Sequence, residues 1–197
     1  MHYARFLSAM GRHAEAQGEI ESARQADPVS LAINVVKAHV LFYARQYDAA
    51  LAQLAKMREM DPNFPPTHWT LAHVYEALGR DDEACQAMLK TFYLGSGGVP
   101  WFTQLEEVRV KSGWRTAWQM WIEGLLAEQA RGQYVQPYPL VEAYVNLRRD
   151  AEAVVWLRRA AELRDNEIIF LNVDPRFDRL RSNPAFQEIV RSLKFPR

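Results

Sequence analysis

Apolar residues along this chain recur at three- and four-residue steps, in short runs separated by turns. In one run, Leu31, Val35, Ala38 and Phe42 follow that spacing, which is typical of one face of an amphipathic helix. A second run of the same kind begins after Asp48, a residue type that often starts a helix. Because no stretch alternates between apolar and polar positions, the pattern predicts helical hairpins without strands.

The hairpins repeat with a fixed period. Pro28 and Pro62 stand in the similar phrases ADPVS and MDPNF, 34 residues apart. Three sets of positions share this step: the turn residues Gly11, Arg45, Gly79 and Gly113, the small residues Ala16, Ala50 and Ala84, and, after a one-residue slip, a fifth unit beginning near Tyr134. A period of this length indicates a stack of helical repeats. The units predicted are residues 1–30, 31–64, 65–98, 99–133 and 134–167.

These positions resemble the tetratricopeptide repeat over about residues 1–165. That family has a small residue at the eighth position, a large apolar one at the eleventh, alanine at the twentieth and proline at the thirty-second. The matching residues are Ala38 and Ala72, then Leu41, Tyr75 and Tyr144, then Ala16, Ala50, Ala84 and Ala153. The resemblance implies an all-α, right-handed superhelical solenoid of about five helix-turn-helix repeats, with residues 166–197 as a helical cap.

The C-terminal stretch VDPRFDRLRSNPAFQEIVRSL, residues 173–193, resembles the end of tetratricopeptide regions in bacterial multidomain regulators. Those proteins carry a winged-helix, nucleotide cyclase or protein kinase domain, so the resemblance implies the cytoplasmic sensory or interaction arm of a regulator. Met1 falls on the fifth position of its unit, which favours upstream domains over an atypical first repeat. Asp174-Pro175 and Asn183-Pro184 are typical helix starts. We therefore expect a cap, since a solenoid's last repeat otherwise exposes its apolar face.

Composition excludes several function classes. The chain has 24 basic and 24 acidic residues, so it lacks the basic excess of a nucleic-acid-binding domain. No apolar run reaches the length of a membrane span, and Cys85 is the only cysteine, which excludes an intrachain disulfide and a cysteine metal cluster. The sequence contains no phosphate-binding glycine loop, serine elbow or zinc-protease motif. We expect neither an enzyme nor a cofactor.

Tryptophans interrupt the fourth unit. Trp118 stands where alanine belongs, and Trp114 and Trp121 lie on the same helix face. Accommodating such rings requires a wider hairpin, since overpacking a small-residue site costs about 1–3 kcal/mol. We favour a core position for these rings; the alternative is an exposed patch for a partner.

The family resemblance implies a concave wall formed by the first helix of each unit. The positions that carry over are Val35, His39, Phe42, Trp69, His73, Glu76, Thr103, Glu107, Tyr138 and Glu142. Such a mixture of aromatic and polar groups suits a protein or peptide ligand. The predicted function is a protein-interaction scaffold; the alternatives are a small-ligand or metal-responsive sensor and a structural self-association domain.

Two finer expectations follow. His39 and His73 share a row with Glu107 and Glu142, so we expect the glutamates to raise the histidine pKa values and make a groove for basic or polar peptides sensitive to pH. No preceding repeat covers the face with Phe6, Leu7 and Met10, so the N-terminal edge is a candidate for self-association.

Overall fold

The computed structural model describes residues 1–193, and within them the fold is all-α. Ten α-helices form five hairpins, followed by two 3-10 helices and a last α-helix. The hairpins are α1 (His2–Ala9) with α2 (His13–Ala26), α3 (Leu31–Tyr43) with α4 (Tyr47–Met60), α5 (Pro65–Ala77) with α6 (Asp81–Gly95), α7 (Pro100–Ser112) with α8 (Trp114–Ala130), and α9 (Pro137–Asn146) with α10 (Asp150–Glu162). The remaining elements are η1 (Asn166–Phe170), η2 (Pro175–Leu180) and α11 (Pro184–Ser192). The predicted all-α stack of helix-turn-helix repeats is confirmed.

The turn inside each hairpin uses a left-handed residue. Gly11 and Gly79 have φ of 74° and 71° there, a region open to glycine without steric cost. Arg45 and Arg148 take the same conformation, with φ of 61° and 60°, where a Cβ is unfavourable. The hairpin connection is therefore kept even where the sequence supplies arginine.

Small residues let the paired helices approach closely. Ala16, Ala50 and Ala153 are fully buried at the shared position. In the fourth unit Trp118 takes this position and is 1% exposed, while Trp121 stacks on Phe92 with ring centroids 4.5 Å apart. The interpretation of the tryptophans as core residues is confirmed for these two rings.

Two glycines test how tightly the fourth hairpin is filled. A Cβ on Gly124 in α8 would lie 2.9 Å from Cζ2 of Trp101, whereas a Cβ on Gly18 in α2 would meet nothing within 4 Å. Gly18→Ala should raise the free energy of unfolding by about 0.5–1 kcal/mol through helix propensity. Gly124→Ala should lower it by about 1 kcal/mol or more through overpacking. Urea titrations of the two variants measure this; equal gains at both sites would show that the Trp101 ring moves freely.

The stack curves until its two ends meet. Within the C-terminal part, η1 contacts α1 and α10, η2 contacts α5, and α11 packs on α10. The N-terminal edge is consequently less exposed to solvent than the sequence predicted. Leu7 is 1% exposed, although Tyr3 and Phe6 remain 53% and 46% exposed. In residues 1–193 no helix is both long and apolar enough to cross a membrane.

Candidate functional site

The inner wall of the curve is formed by α3, α5 and α9, and it is crossed by residues 166–180, which we call the groove segment. His73 on α5 and Glu142 on α9 meet across the wall, with Nε2 of the histidine 2.9 Å from Oε1 of the carboxylate. The two side chains are 1% and 4% exposed. Helices from the third and fifth units therefore touch in the interior, where an open groove was expected.

Arg176 of the groove segment lies at the centre of this contact, with its side chain 1% exposed. Its Nη2 donates to Asp174 Oδ2 at 2.7 Å and to the Tyr138 hydroxyl at 3.0 Å. Its Nη1 donates to Glu142 Oε1 at 3.4 Å and lies 4.0 Å from Glu76 Oε2. One buried guanidinium thus faces three carboxyl groups, the arrangement in which a buried charge is tolerated.

The groove segment is also held by aromatic contacts of Phe170 and by an ion pair at its solvent-exposed edge. Phe170 stacks on Tyr43 of α3, with centroids 4.6 Å apart and an interplanar angle of 5°. The Arg5 guanidinium lies 5.4 Å from the centroid of the same Phe170 ring. At the solvent edge Arg45 pairs with Asp178 through two hydrogen bonds of 2.5 and 2.8 Å. The segment therefore contacts the first, second, third and fifth units together.

A cavity of about 450 Å³ remains at one mouth of the inner wall, and we call it the aromatic pocket. Its lining combines rings with acidic and amide groups: Trp69, Phe92, Tyr134, Gln136, Pro137, Tyr138, Pro139, Glu142, Leu163, Arg164, Asp165, Asn166 and Glu167. Tyr134 is 75% exposed at the rim. At the opposite mouth a cavity of about 410 Å³ is bordered by Glu76, Arg148, Arg176 and Arg179. Arg176 thus lies between an aromatic mouth and an arginine-rich one.

The structure brings together most of the residues predicted for the wall, but it buries them. Val35, Phe42, His73, Glu76, Tyr138 and Glu142 are all less than 9% exposed, Trp69 and His39 are partly exposed, and Thr103 and Glu107 lie in the open on α7. Trp69 and Tyr138 do line the aromatic pocket. The wall is therefore an internal contact surface with an accessible mouth.

The two histidines do not behave as the sequence suggested. Burial lowers the pKa of His39 to about 3 and lowers that of His73 well below its usual value. Thr70 donates its hydroxyl proton to the Pro66 carbonyl, so the short 2.7 Å contact requires His39 Nε2 to be the donor. The expectation that glutamates raise the histidine pKa values was wrong, because loss of hydration outweighs the neighbouring carboxyl groups.

The pKa values of the two wall glutamates, Glu76 and Glu142, are shifted in the opposite direction. Burial raises the pKa of Glu76 to about 8 and that of Glu142 to about 7, against the attraction of Arg176. Oε1 of Glu76 and Oδ1 of Asn146 have no hydrogen-bond partner among the described residues. The titrating groups near neutral pH in this wall are therefore carboxyl groups.

Sequence reasoning missed the groove segment's part in this site. Asp174 was identified as a helix start, and its side chain does accept from the Arg176 backbone N–H at 2.9 Å. Its second role, as the closest counter-ion of the buried Arg176 side chain, was not predicted. The signal available was the phrase DPRF, in which an arginine lies between two helix-start residues and an aromatic one.

In the region between the end of α3 and α6, the repeats agree with a known family. Residues 41–90 match the tetratricopeptide repeat. The chain is also similar to a crystal structure of the TPR domain of P58(IPK), at 18% sequence identity and a TM-score of 0.40. That similarity covers 97% of this chain and 57% of the other, so this chain spans little more than half of that structure. A comparison with curated protein sequences found no match.

Proposed function

We propose that this chain is a protein-interaction module that binds a segment of its partner at the aromatic pocket, as the interaction arm of a larger bacterial regulator. The observation that carries the binding proposal is the composition of this mouth. Tyr134 presents an exposed ring beside Trp69, and Asp165 and Glu167 supply carboxyl groups at the same cavity. Rings next to a polar rim are the usual anchors of peptide recognition.

The regulator assignment rests on the sequence of residues 173–193 and its resemblance to the closing segment of such proteins. The single thiol of the chain does not support a catalytic role. Burial raises the pKa of the Cys85 thiol, which keeps it in the unreactive form. Within residues 1–193 no three His, Cys, Asp or Glu side chains are placed to hold a metal ion.

A display library of random short peptides tests the binding site directly. Peptides enriched on the wild-type chain should bind Tyr134→Ala about tenfold more weakly, since removing an exposed aromatic anchor costs about 1–2 kcal/mol. The melting temperature should stay nearly unchanged, because Tyr134 is 75% exposed. Trp69 and Tyr138 are poorer test sites, because replacing them would also disturb internal contacts. The ring centroids of Trp69 and His73 are 3.9 Å apart, and the Tyr138 hydroxyl accepts a hydrogen bond from Arg176.

The matched control is Val155→Ala, a change at an exposed apolar side chain on α10 that is not part of the pocket lining. Peptides whose affinity falls equally in both variants, or in neither, would exclude the aromatic pocket as the binding site.

A further inference from the structure

The C-terminal part of the described chain divides into two pieces with different surroundings. Helix α11 packs on α10, the final helix of the last hairpin, where Phe186 and Ile189 are buried. This is what a solenoid cap does. Residues 166–180 also lie across the inner wall, against α1 and α5, and contact α10 through η1. The part of the groove segment up to Arg176 is thus positioned like a ligand of the wall, while Phe177 packs on Phe186 of α11, with ring centroids 5.9 Å apart, and joins the segment to the cap.

The contacts of the groove segment define the chemistry that the wall accepts. A guanidinium, that of Arg176, is bound by the Tyr138 hydroxyl and the Glu142 carboxyl group. On either side of it Phe170 and Phe177 are 2% and 1% exposed. Phe170 packs on the wall against Tyr43, whereas Phe177 packs on Phe186 of α11. The wall therefore accommodates an arginine together with an aromatic side chain, with an acidic residue as its companion.

The edge of the groove segment has one exposed ion pair and one partly buried anchor, since Arg179 donates to the Val145 carbonyl and to Asp150 Oδ1, both at 2.6 Å. Arg45 and Asp178 form a pair in which both side chains are more than 40% exposed, and exposed pairs contribute little to stability. Asp178 also accepts from Arg181, the residue that follows the segment, at 2.8 Å. Removing the Arg45–Asp178 pair therefore weakens one attachment at the solvent edge and leaves the contacts of Arg179 and of the buried cluster in place.

Building on the proposed function, we propose that residues 166–180 are an intramolecular ligand of the inner wall, and that the partner bears an arginine with an aromatic residue near it, which exchanges with this segment. The aromatic pocket is the entry point, because Tyr138 and Glu142 both line it and contact Arg176. A partner that begins at the pocket would reach the Arg176 position along the same two side chains.

A fluorescent synthetic peptide of residues 166–181, added to the full chain, tests the exchange. Binding in trans is weakened by the fraction of wall already occupied in cis, so Asp178→Asn in the full chain should bind the wild-type peptide about two- to fivefold more tightly. Glu188→Gln is the matched control, since it removes the exposed pairing of Glu188 on α11 with Arg158 on α10 and leaves the groove segment untouched. The same peptide with citrulline in place of Arg176 should bind at least about tenfold more weakly.

Hydrogen exchange of the unmodified full chain gives a second requirement. Amides of residues 166–180 should exchange together and before those of α5 and α9, because an exchangeable segment opens without global unfolding. The proposal would be overturned if the amides of residues 166–180 exchanged hydrogen only through global unfolding. Equal binding of the arginine and citrulline peptides would also overturn it. If library peptides still depend on Tyr134 in that case, the interaction module stands and the intramolecular ligand alone is refuted.

Discussion

Replacing Arg176 with methionine is expected to lower the free energy of unfolding by about 3 kcal/mol, at the lower end of the cost of leaving buried charges without their partner. Arg176 is the cation that contacts Asp174 and Glu142 and lies 4.0 Å from Glu76. Methionine keeps the apolar stem and removes the positive charge. The loss should not reach the upper end of that range, because the groove segment can leave the wall and let water reach the carboxyl groups.

Urea unfolding measures this loss, and limited trypsin digestion shows where it occurs. The released segment should be cut faster at Arg179 and Arg181, which are partly buried in the folded chain. Arg158→Met removes one exposed pairing with Glu188 and should change the stability by less than about 1 kcal/mol. If Arg176→Met and Arg158→Met have equal free energies of unfolding, the buried contacts of Arg176 do not stabilise the fold more than hydration of the same groups would.

A second substitution identifies the cause of the loss. If uncompensated carboxyl groups produce it, adding Glu142→Gln to Arg176→Met should restore part of the stability at pH 8.5, where ionisation of Glu142 is favoured in solvent, because groups in contact do not have additive effects. Glu152→Gln, which alters an exposed carboxylate paired with Arg149, should restore nothing.

The hairpins could be predicted from sequence because the contacts that make them are local. Ala50 and Arg45 follow each other closely in the chain and fix the pairing of α3 with α4 through a small residue and a left-handed turn. The inner wall depends instead on the curvature accumulated over several units. His73 and Glu142 come from helices two units apart, and no spacing in the sequence measures how far the stack has turned when they meet. The inner wall was expected to be an open groove, and the structure shows it as a closed contact surface between helices.

The same closure explains why the chemistry of the wall was predicted in the wrong direction. His39 and Glu142 were correctly identified as inward-facing types, and titration near neutral pH was expected from the histidine. Hydration decides which group titrates: a buried histidine loses its charge more readily, and a buried carboxyl group keeps its proton. Sequence alone contains no measure of that burial at a concave surface.

Stability should change little between about pH 5 and 6 and should fall by about 1–2 kcal/mol between pH 6.5 and 8.5. The pKa values of Glu76 and Glu142 are raised to about 8 and about 7 from an ordinary 4.5. The folded chain therefore holds more protons than the unfolded chain above pH 4.5. That contribution is complete below 4.5 and is lost as the pH rises through 7 and 8.

The histidines oppose this trend only at lower pH. The pKa of His39 is lowered to about 3, and that of His73 is lowered well below 6.5. The unfolded chain then holds more histidine protons, so the histidines by themselves make stability rise with pH up to about 6.5, their ordinary value. This rise offsets the fall caused by the glutamates between about pH 5 and 6, and above 6.5 the offset ends. Facing these groups are Asp174 and Arg176 from the groove segment and Tyr138 from α9, and the pKa of Tyr138 is raised well above 10 by burial.

The variant Glu76→Gln separates the glutamate contribution to the pH dependence of stability from the contributions of the other titrating groups. Glutamine has nearly the shape of the protonated carboxyl group and does not ionise, so the fall above pH 6.5 should shrink by about half or more, and the variant should be more stable than the wild type at pH 8.5. Glu83→Gln is the control: Glu83 is exposed and pairs with Arg80, which lowers its pKa, so the slope above pH 6.5 should not change. Urea titrations at half-unit pH steps measure all three chains. A wild-type profile that is flat or rising from pH 6.5 to 8.5 would show that both glutamates are ionised in the folded chain, and that Arg176 compensates them despite their burial.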